Sequence, residues 1–109
     1  MRPIILTTTD ASGGTTTSAS GIVDIHGRPQ ISLQLDITGT ATCTVQQTLD
    51  NLWDTTITPT WVDHPDTNLV GATTDKQGNY AFVPFAIRLR QTAGSGSAKL
   101  TVIQSGTHG

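Results

Sequence analysis

Gln30-Ile31-Ser32-Leu33-Gln34-Leu35-Asp36-Ile37-Thr38 decides the fold class. Ile31, Leu33, Leu35 and Ile37 alternate with polar neighbours, and a period of two puts every second side chain on one face of a strand. One face is therefore built for a core and the other for water. Thr38-Gly39-Thr40 follows, and then Ala41, Cys43 and Val45 alternate with Thr42, Thr44 and Gln46. Two alternating runs joined by a short Gly-containing link are expected to form an antiparallel hairpin, with Cys43 facing inward.

A second pair has the same form. Phe85, Ile87 and Leu89 alternate with Ala86, Arg88 and Arg90; Ala93-Gly94-Ser95-Gly96-Ser97 turns the chain, and Ala98 to Gln104 returns with Leu100 and Val102 inward. This is the second expected hairpin. Tyr80 to Val83 reads as a strand fed by a turn at Asp75-Lys76-Gln77-Gly78-Asn79, with Pro84 marking a bend or an edge. Ile4 to Thr8 and Ile22 to Ile25 read as short strands around Asp10-Ala11-Ser12-Gly13-Gly14. In the irregular middle, Leu49, Leu52 and Trp53 have the spacing of one helical turn, and Trp61 lies in a short strand-like run after Pro59.

Seven or eight short strands without a long helical pattern predict an all-β fold, a two-layer antiparallel β-sandwich of jelly-roll-like type. Its 109 residues suit a single domain, 1–109. Residues 1–20, rich in Thr and Ser, are expected to form an extended arm or an edge strand. Roughly a fifth of the chain is Thr and it contains no Glu, a balance that favours strands and turns over helices.

Charge and cysteine content narrow the function classes. A net charge of −2 supplies no field to gather phosphates or an anionic bilayer, so neither nucleic acid nor a membrane is expected as partner. No stretch approaches membrane-spanning length, and the apolar run after Met1 is too short for a signal-peptide core. Cys43 is alone, so the fold has to rest on packing and hydrogen bonds without an internal disulfide.

No catalytic, cofactor or metal site is expected. His26, His64 and His108 are the only imidazoles that could activate a hydroxyl, and none lies in a nucleophile motif. His26 belongs to a turn-like segment and His108 to a terminal tail. Asp63-His64-Pro65-Asp66 is the tightest polar cluster, but it lacks the spaced oxygens of a hard-cation loop and the further ligands of a zinc site, so it reads as an Asp/Pro turn. Trp53, Trp61 and Tyr80 could present flat rings to a sugar, yet a chain this poor in aromatics is expected to use them in its core.

The expected work is binding. Arg88 and Arg90 should project together from the outer face of their strand, with Lys99 across the hairpin, able to anchor a partner's carboxylates or simply to keep the face soluble. Thr7, Thr8, Thr9, Thr15, Thr16 and Thr17 form extended, hydroxyl-rich chain suited to adding to a neighbouring sheet edge.

Three stretches carry a resemblance: Arg2-Pro3-Ile4-Ile5-Leu6-Thr7-Thr8-Thr9-Asp10-Ala11-Ser12-Gly13, then Thr60-Trp61-Val62-Asp63-His64-Pro65, and Phe82 to Arg90 followed by Thr92-Ala93-Gly94-Ser95-Gly96-Ser97 and Gln104-Ser105-Gly106. Together they resemble small structural proteins of tailed bacteriophages. The resemblance spans almost the whole chain and brings no catalytic residue with it. It implies a virion component, either a capsid decoration or cement protein on the major capsid protein lattice or a tail or collar accessory, present in many copies or as a homo-oligomer. Assembly in the host bacterial cytoplasm agrees with the single Cys.

Overall fold

A computed structural model describes residues 3–23, 28–80 and 84–107. Strands β1 (Ile4–Thr9), β2 (Thr16–Thr17), β3 (Gly21–Ile22), β4 (Arg28–Thr38), β5 (Thr42–Thr48), β6 (Val62–Asp63), β7 (Lys76–Tyr80), β8 (Ala86–Ala93) and β9 (Ser97–Thr107) follow one another, with a 3-10 turn at Thr67–Leu69. His26 and His108, together with the ends of the strand runs expected at 22–25 and 80–83, lie outside the described residues. Two antiparallel sheets result. The first has the order β1-β9-β4-β7; the second has β2-β8-β5-β6, with β3 beside β2 on the same edge of β8.

The fold is thus an all-β sandwich, with nine strands among the described residues and two of them, β4 and β9, eleven residues long. The alternating runs bury the face that their period predicts. Ile31, Leu33 and Leu35 from β4 meet Cys43 and Val45 from β5, Ile87 and Leu89 from β8, and Leu100 and Val102 from β9 in one core cluster. Leu35, Leu89 and Leu100 are fully buried. Each such side chain contributes about 1.5–3 kcal/mol relative to an exposed one.

Neither expected hairpin forms. β4 pairs with β9 and β7, while β5 pairs with β8 and β6, so the link at Thr38-Gly39-Thr40 crosses from one sheet to the other. The link at Gly94-Ser95-Gly96 crosses in the same way between β8 and β9. Alternation fixes the buried face of a strand but not its neighbour, and a short glycine link serves a corner as well as a hairpin.

The two corners lie against each other. Gly94 has φ +97° and Gly39 φ +78°, and a Cβ on Gly94 or Gly96 would overlap the backbone of Thr40. That close approach lets the Gly96 N–H donate to the Thr40 carbonyl at 2.7 Å. A third segment joins them. The N–H groups of Asp10 and Ala11 donate to the Gly96 and Gly94 carbonyls at 2.9 and 2.7 Å. The wholly buried Gln91 amide donates to both of those carbonyls, at 3.1 and 3.0 Å, and accepts from the Thr8 hydroxyl at 2.9 Å.

Of the two forms expected for residues 1–20, the described residues 3–20 show the edge strand and not a detachable arm. β1 pairs with β9 over six residues at the edge of the first sheet, and Leu6, Thr8 and Ala11 are buried. The expected turn at Asp75 to Asn79 is also corrected, because Lys76–Tyr80 is edge strand β7. Gly78 sits there because Leu69 packs over it, its Cδ1 only 2.6 Å from where a Cβ would lie. Around Leu49 to Trp53 the chain makes a tight turn, Asp54 N–H to Asn51 O at 3.1 Å, rather than a helical one.

Gly94→Ala is expected to destabilise the protein by about 2 kcal/mol or more, combining backbone strain with the clash on Thr40. Gly13→Ala, where a Cβ meets nothing within 4 Å, should stay within about 0.5 kcal/mol of the parent. Urea unfolding of the two variants side by side measures the difference.

Candidate functional site

Strand β8 places Ile87, Leu89 and Gln91 inward, so Arg88 and Arg90 stand together on the outer face of the second sheet, as their spacing predicts. The register sets Arg88 opposite Gln46 and Arg90 opposite Thr44 on β5, with Thr17 of β2 on the other side of Arg90. Lys99 does not join them. It belongs to β9 in the first sheet, where its Nζ lies 4.0 Å from the Asp36 carboxylate.

A polar ladder runs across three strands beneath Arg88. Its Nε donates to Gln46 Oε1 at 2.8 Å, and Gln46 Nε2 donates to Asp63 Oδ1 of β6 at 2.8 Å. The Trp61 ring covers the same guanidinium, whose carbon lies 4.3 Å from the ring centroid. A cation over an indole face gains about 0.5–2 kcal/mol, the upper part of that range when water is excluded. Desolvation and the neighbouring Arg90 charge both lower the Arg88 pKa, in that order. The guanidinium stays cationic at neutral pH, because its ordinary pKa lies far above 7.

Among the described residues neither arginine has a carboxylate within 4.0 Å, and the one ion pair joins Lys99 and Asp36. Sequence spacing revealed that the two arginines share a face. It could not reveal Gln46 or Trp61, which reach Arg88 only through the sheet.

The Asp63-His64-Pro65-Asp66 cluster is structural. His64 is 4% exposed. Its Nδ1 accepts from the Asp66 backbone N–H at 2.9 Å, so the proton sits on Nε2, which donates to the Asn79 carbonyl at 2.8 Å. The ring also packs at 4.4 Å on Tyr80. Asp66 caps the 3-10 turn through the Asn68 N–H, while Asp63 serves the ladder. The two carboxylates are thus spent on different structural bonds, and the imidazole clamps the β6 side of the second sheet to β7 of the first.

The aromatic residues divide against expectation. Tyr80 belongs to the core, its hydroxyl donating to Gln47 Oε1 at 2.8 Å. Burial drives its pKa far up. Trp61 is half-buried under Arg88, and Trp53 is 68% exposed on the long β5–β6 loop, its ring T-shaped to Phe85 at 5.1 Å. Neither tryptophan lies in the core cluster.

The Thr residues separate by strand parity. Thr7 and Thr9 are exposed on the outer face of β1, whereas Thr8 is buried against Gln91. Thr15 is exposed before β2; Thr16, opposite Gln91, has a buried hydroxyl without a hydrogen-bond partner, and Thr17 is exposed beside Arg90. Cys43 is fully buried in the core, and that desolvation pushes its thiol pKa up. No protein-family model, curated protein or solved structure matches the chain.

Burial, the largest influence on His64, lowers its pKa below the ordinary value of about 6.5, outweighing the Asn79 carbonyl and Asp66. As pH falls the unfolded chain then binds a proton before the folded one does, so the His64 contribution to stability is complete above about pH 6.5 and declines below it. His64→Gln should flatten this part of the stability-versus-pH curve. Parallel urea midpoints for parent and variant from pH 7.5 down to 5 would disprove the neutral clamp.

Proposed function

We propose that the protein is a non-enzymatic virion structural protein of a tailed bacteriophage, a capsid decoration or cement protein that binds the major capsid protein lattice and stabilises the shell. The observation that carries this reading is the outer face of the first sheet. Across β1, β9 and β4 the register aligns Ile5 with Thr101 and Gln34, Thr7 with Lys99 and Asp36, and Thr9 with Ser97 and Thr38. Among these aligned residues the one cation, Lys99, and the one carboxylate, Asp36, face each other, and the rest are uncharged. Ile5 and Ile103 are 58% and 49% exposed on this face.

Such a face suits close contact with another protein, since it costs little desolvation of charge and little side-chain ordering. Beside it β1 is the terminal strand of its sheet, a six-residue Ile-Ile-Leu-Thr-Thr-Thr edge without charge or proline, open to strand addition. Repetition over a lattice makes a modest contact of this kind strong. The strand order supports a jelly-roll wind, because β1 with β9, β2 and β3 with β8, β4 with β7, and β5 with β6 pair as nested layers of one rolled hairpin.

Particles purified from a lysate of the encoding phage should contain the protein at hundreds of copies each. Six or twelve copies would move it to the tail or collar, and its absence from particles would remove the virion reading.

Exposure of Trp53 favours a second reading, a carbohydrate-binding module. Its loop is held by side-chain bonds from Asn51, Asp54 and Asp50 to the Trp53, Thr56 and Thr60 N–H groups, so an indole face is offered with little further ordering cost. Titration of the isolated protein with neutral oligosaccharides should then shift its tryptophan emission, and Trp53→Ala should abolish the shift. Unchanged emission at millimolar sugar excludes the module.

A further inference from the structure

We infer that the protein forms a two-fold dimer through the outer face of the second sheet, each copy laying its β5–β6 loop over the arginines of the other. Charge is distributed unevenly along this part of the molecule. Residues 39–75 hold five of the eight Asp and no Lys or Arg. The β5–β6 loop within them carries Asp50 and Asp54 beside exposed Leu49, Trp53 and Ile57. On β8, Arg88 and Arg90 carry the opposite sign, and none of these four charges has an ionic partner among the described residues.

The loop leaves the sheet at the Thr48–Ala86 end, and Arg90 stands four residues along β8 from Ala86, about 13 Å away. The acidic, apolar loop and the two arginines therefore lie toward opposite ends of this sheet. A two-fold axis lying in the interface, running across the strands midway between Arg90 and the loop, brings each end of one copy onto its complement in the other, which is the self-complementarity an isologous contact requires. No second kind of partner is needed to neutralise either end.

The pairing that remains is specific. Arg88 is already held by Gln46 and Trp61, and Asp50 by the Thr60 N–H. Among the described residues the Arg90 guanidinium has no hydrogen-bond or ionic partner, and Asp54 uses Oδ1 alone, for the Thr56 N–H and hydroxyl. Arg90 of one copy thus pairs with Asp54 of the other, twice per dimer, while Trp53 and Ile57 lose their exposure to water. This contact leaves the outer face of the first sheet free, so it can fail without the virion reading failing, and the reverse holds as well.

Sedimentation velocity of the full chain tests the dimer. The parent should dimerise in low salt and weaken as salt is raised. Arg90→Asp and Asp54→Arg should each weaken dimerisation at least about tenfold, and the double variant, which restores the pair with its signs exchanged, should recover most of that loss. The charge-removing pair Arg90→Gln and Asp54→Asn should give smaller losses in the same order, and unchanged urea midpoints identify variants that stay folded. Acrylamide quenching of tryptophan should fall as the parent is concentrated. A monomer up to about 1 mM, or a dimer that the single variants leave intact or the double variant fails to recover, overturns the inference.

Discussion

The close contact of two glycine corners governs this molecule. Four strands that read as two local hairpins instead exchange partners, and the exchange is permitted because Gly94 and Gly96 offer no side chain to the Thr40 backbone. Where corners cross between sheets, carbonyls are left pointing into the structure, and a buried carbonyl without a donor costs about 1–3 kcal/mol. Gln91 and the Asp10 and Ala11 N–H groups meet that requirement together. The N-terminal strand is fixed to the rest of the fold by the same bonds that close the corners.

Much of the fold was legible from local pattern, and its failures share one cause. Ile31 to Ile37, Ala41 to Val45 and Phe85 to Leu89 display their buried face in sequence, because strand parity is a local property. Pairing is not local. Parity turns Cys43 inward, yet a hairpin reading gives its strand β4 as a neighbour; the same reading of β8 and β9 sets Lys99 beside Arg88, whereas the two strands belong to different sheets. The Asp75 to Asn79 stretch has turn composition, and only Leu69, packed over Gly78, explains why it runs as strand. The candidate site divides in the same way. The common face of Arg88 and Arg90 follows from their spacing, whereas Gln46 arrives from β5 and Trp61 from the loop before β6, whose positions no single-sequence pattern encodes.

Sparing use of charge follows from this construction. His64, Asp63 and Asp66, the group closest in sequence to a reactive cluster, are consumed in holding the β6 edge to β7 and in capping one short turn. Those side chains thus belong to the fold itself. The two outer faces differ in kind: among the described residues the first sheet presents hydroxyls, amides, two isoleucines and the Lys99–Asp36 pair, while the second presents Arg90 and the Arg88 guanidinium over the Trp61 ring. The two contacts proposed above therefore use different faces and do not compete for the same surface.

The nested strand order also bears on how the chain is made. β1 finds its ladder partner in β9, about ninety residues later, and β4 waits for the same strand. A ribosome therefore releases most of the chain before the first sheet can close, and contacts of such long sequence separation form slowly. Throughout that interval the Ile4–Thr9 segment is an unpaired apolar strand, the kind of exposed edge that joins a neighbouring nascent chain as readily as its own sheet. Such exposure lasts until β9 is made, and the finished sandwich, with its core sealed, no longer reveals it.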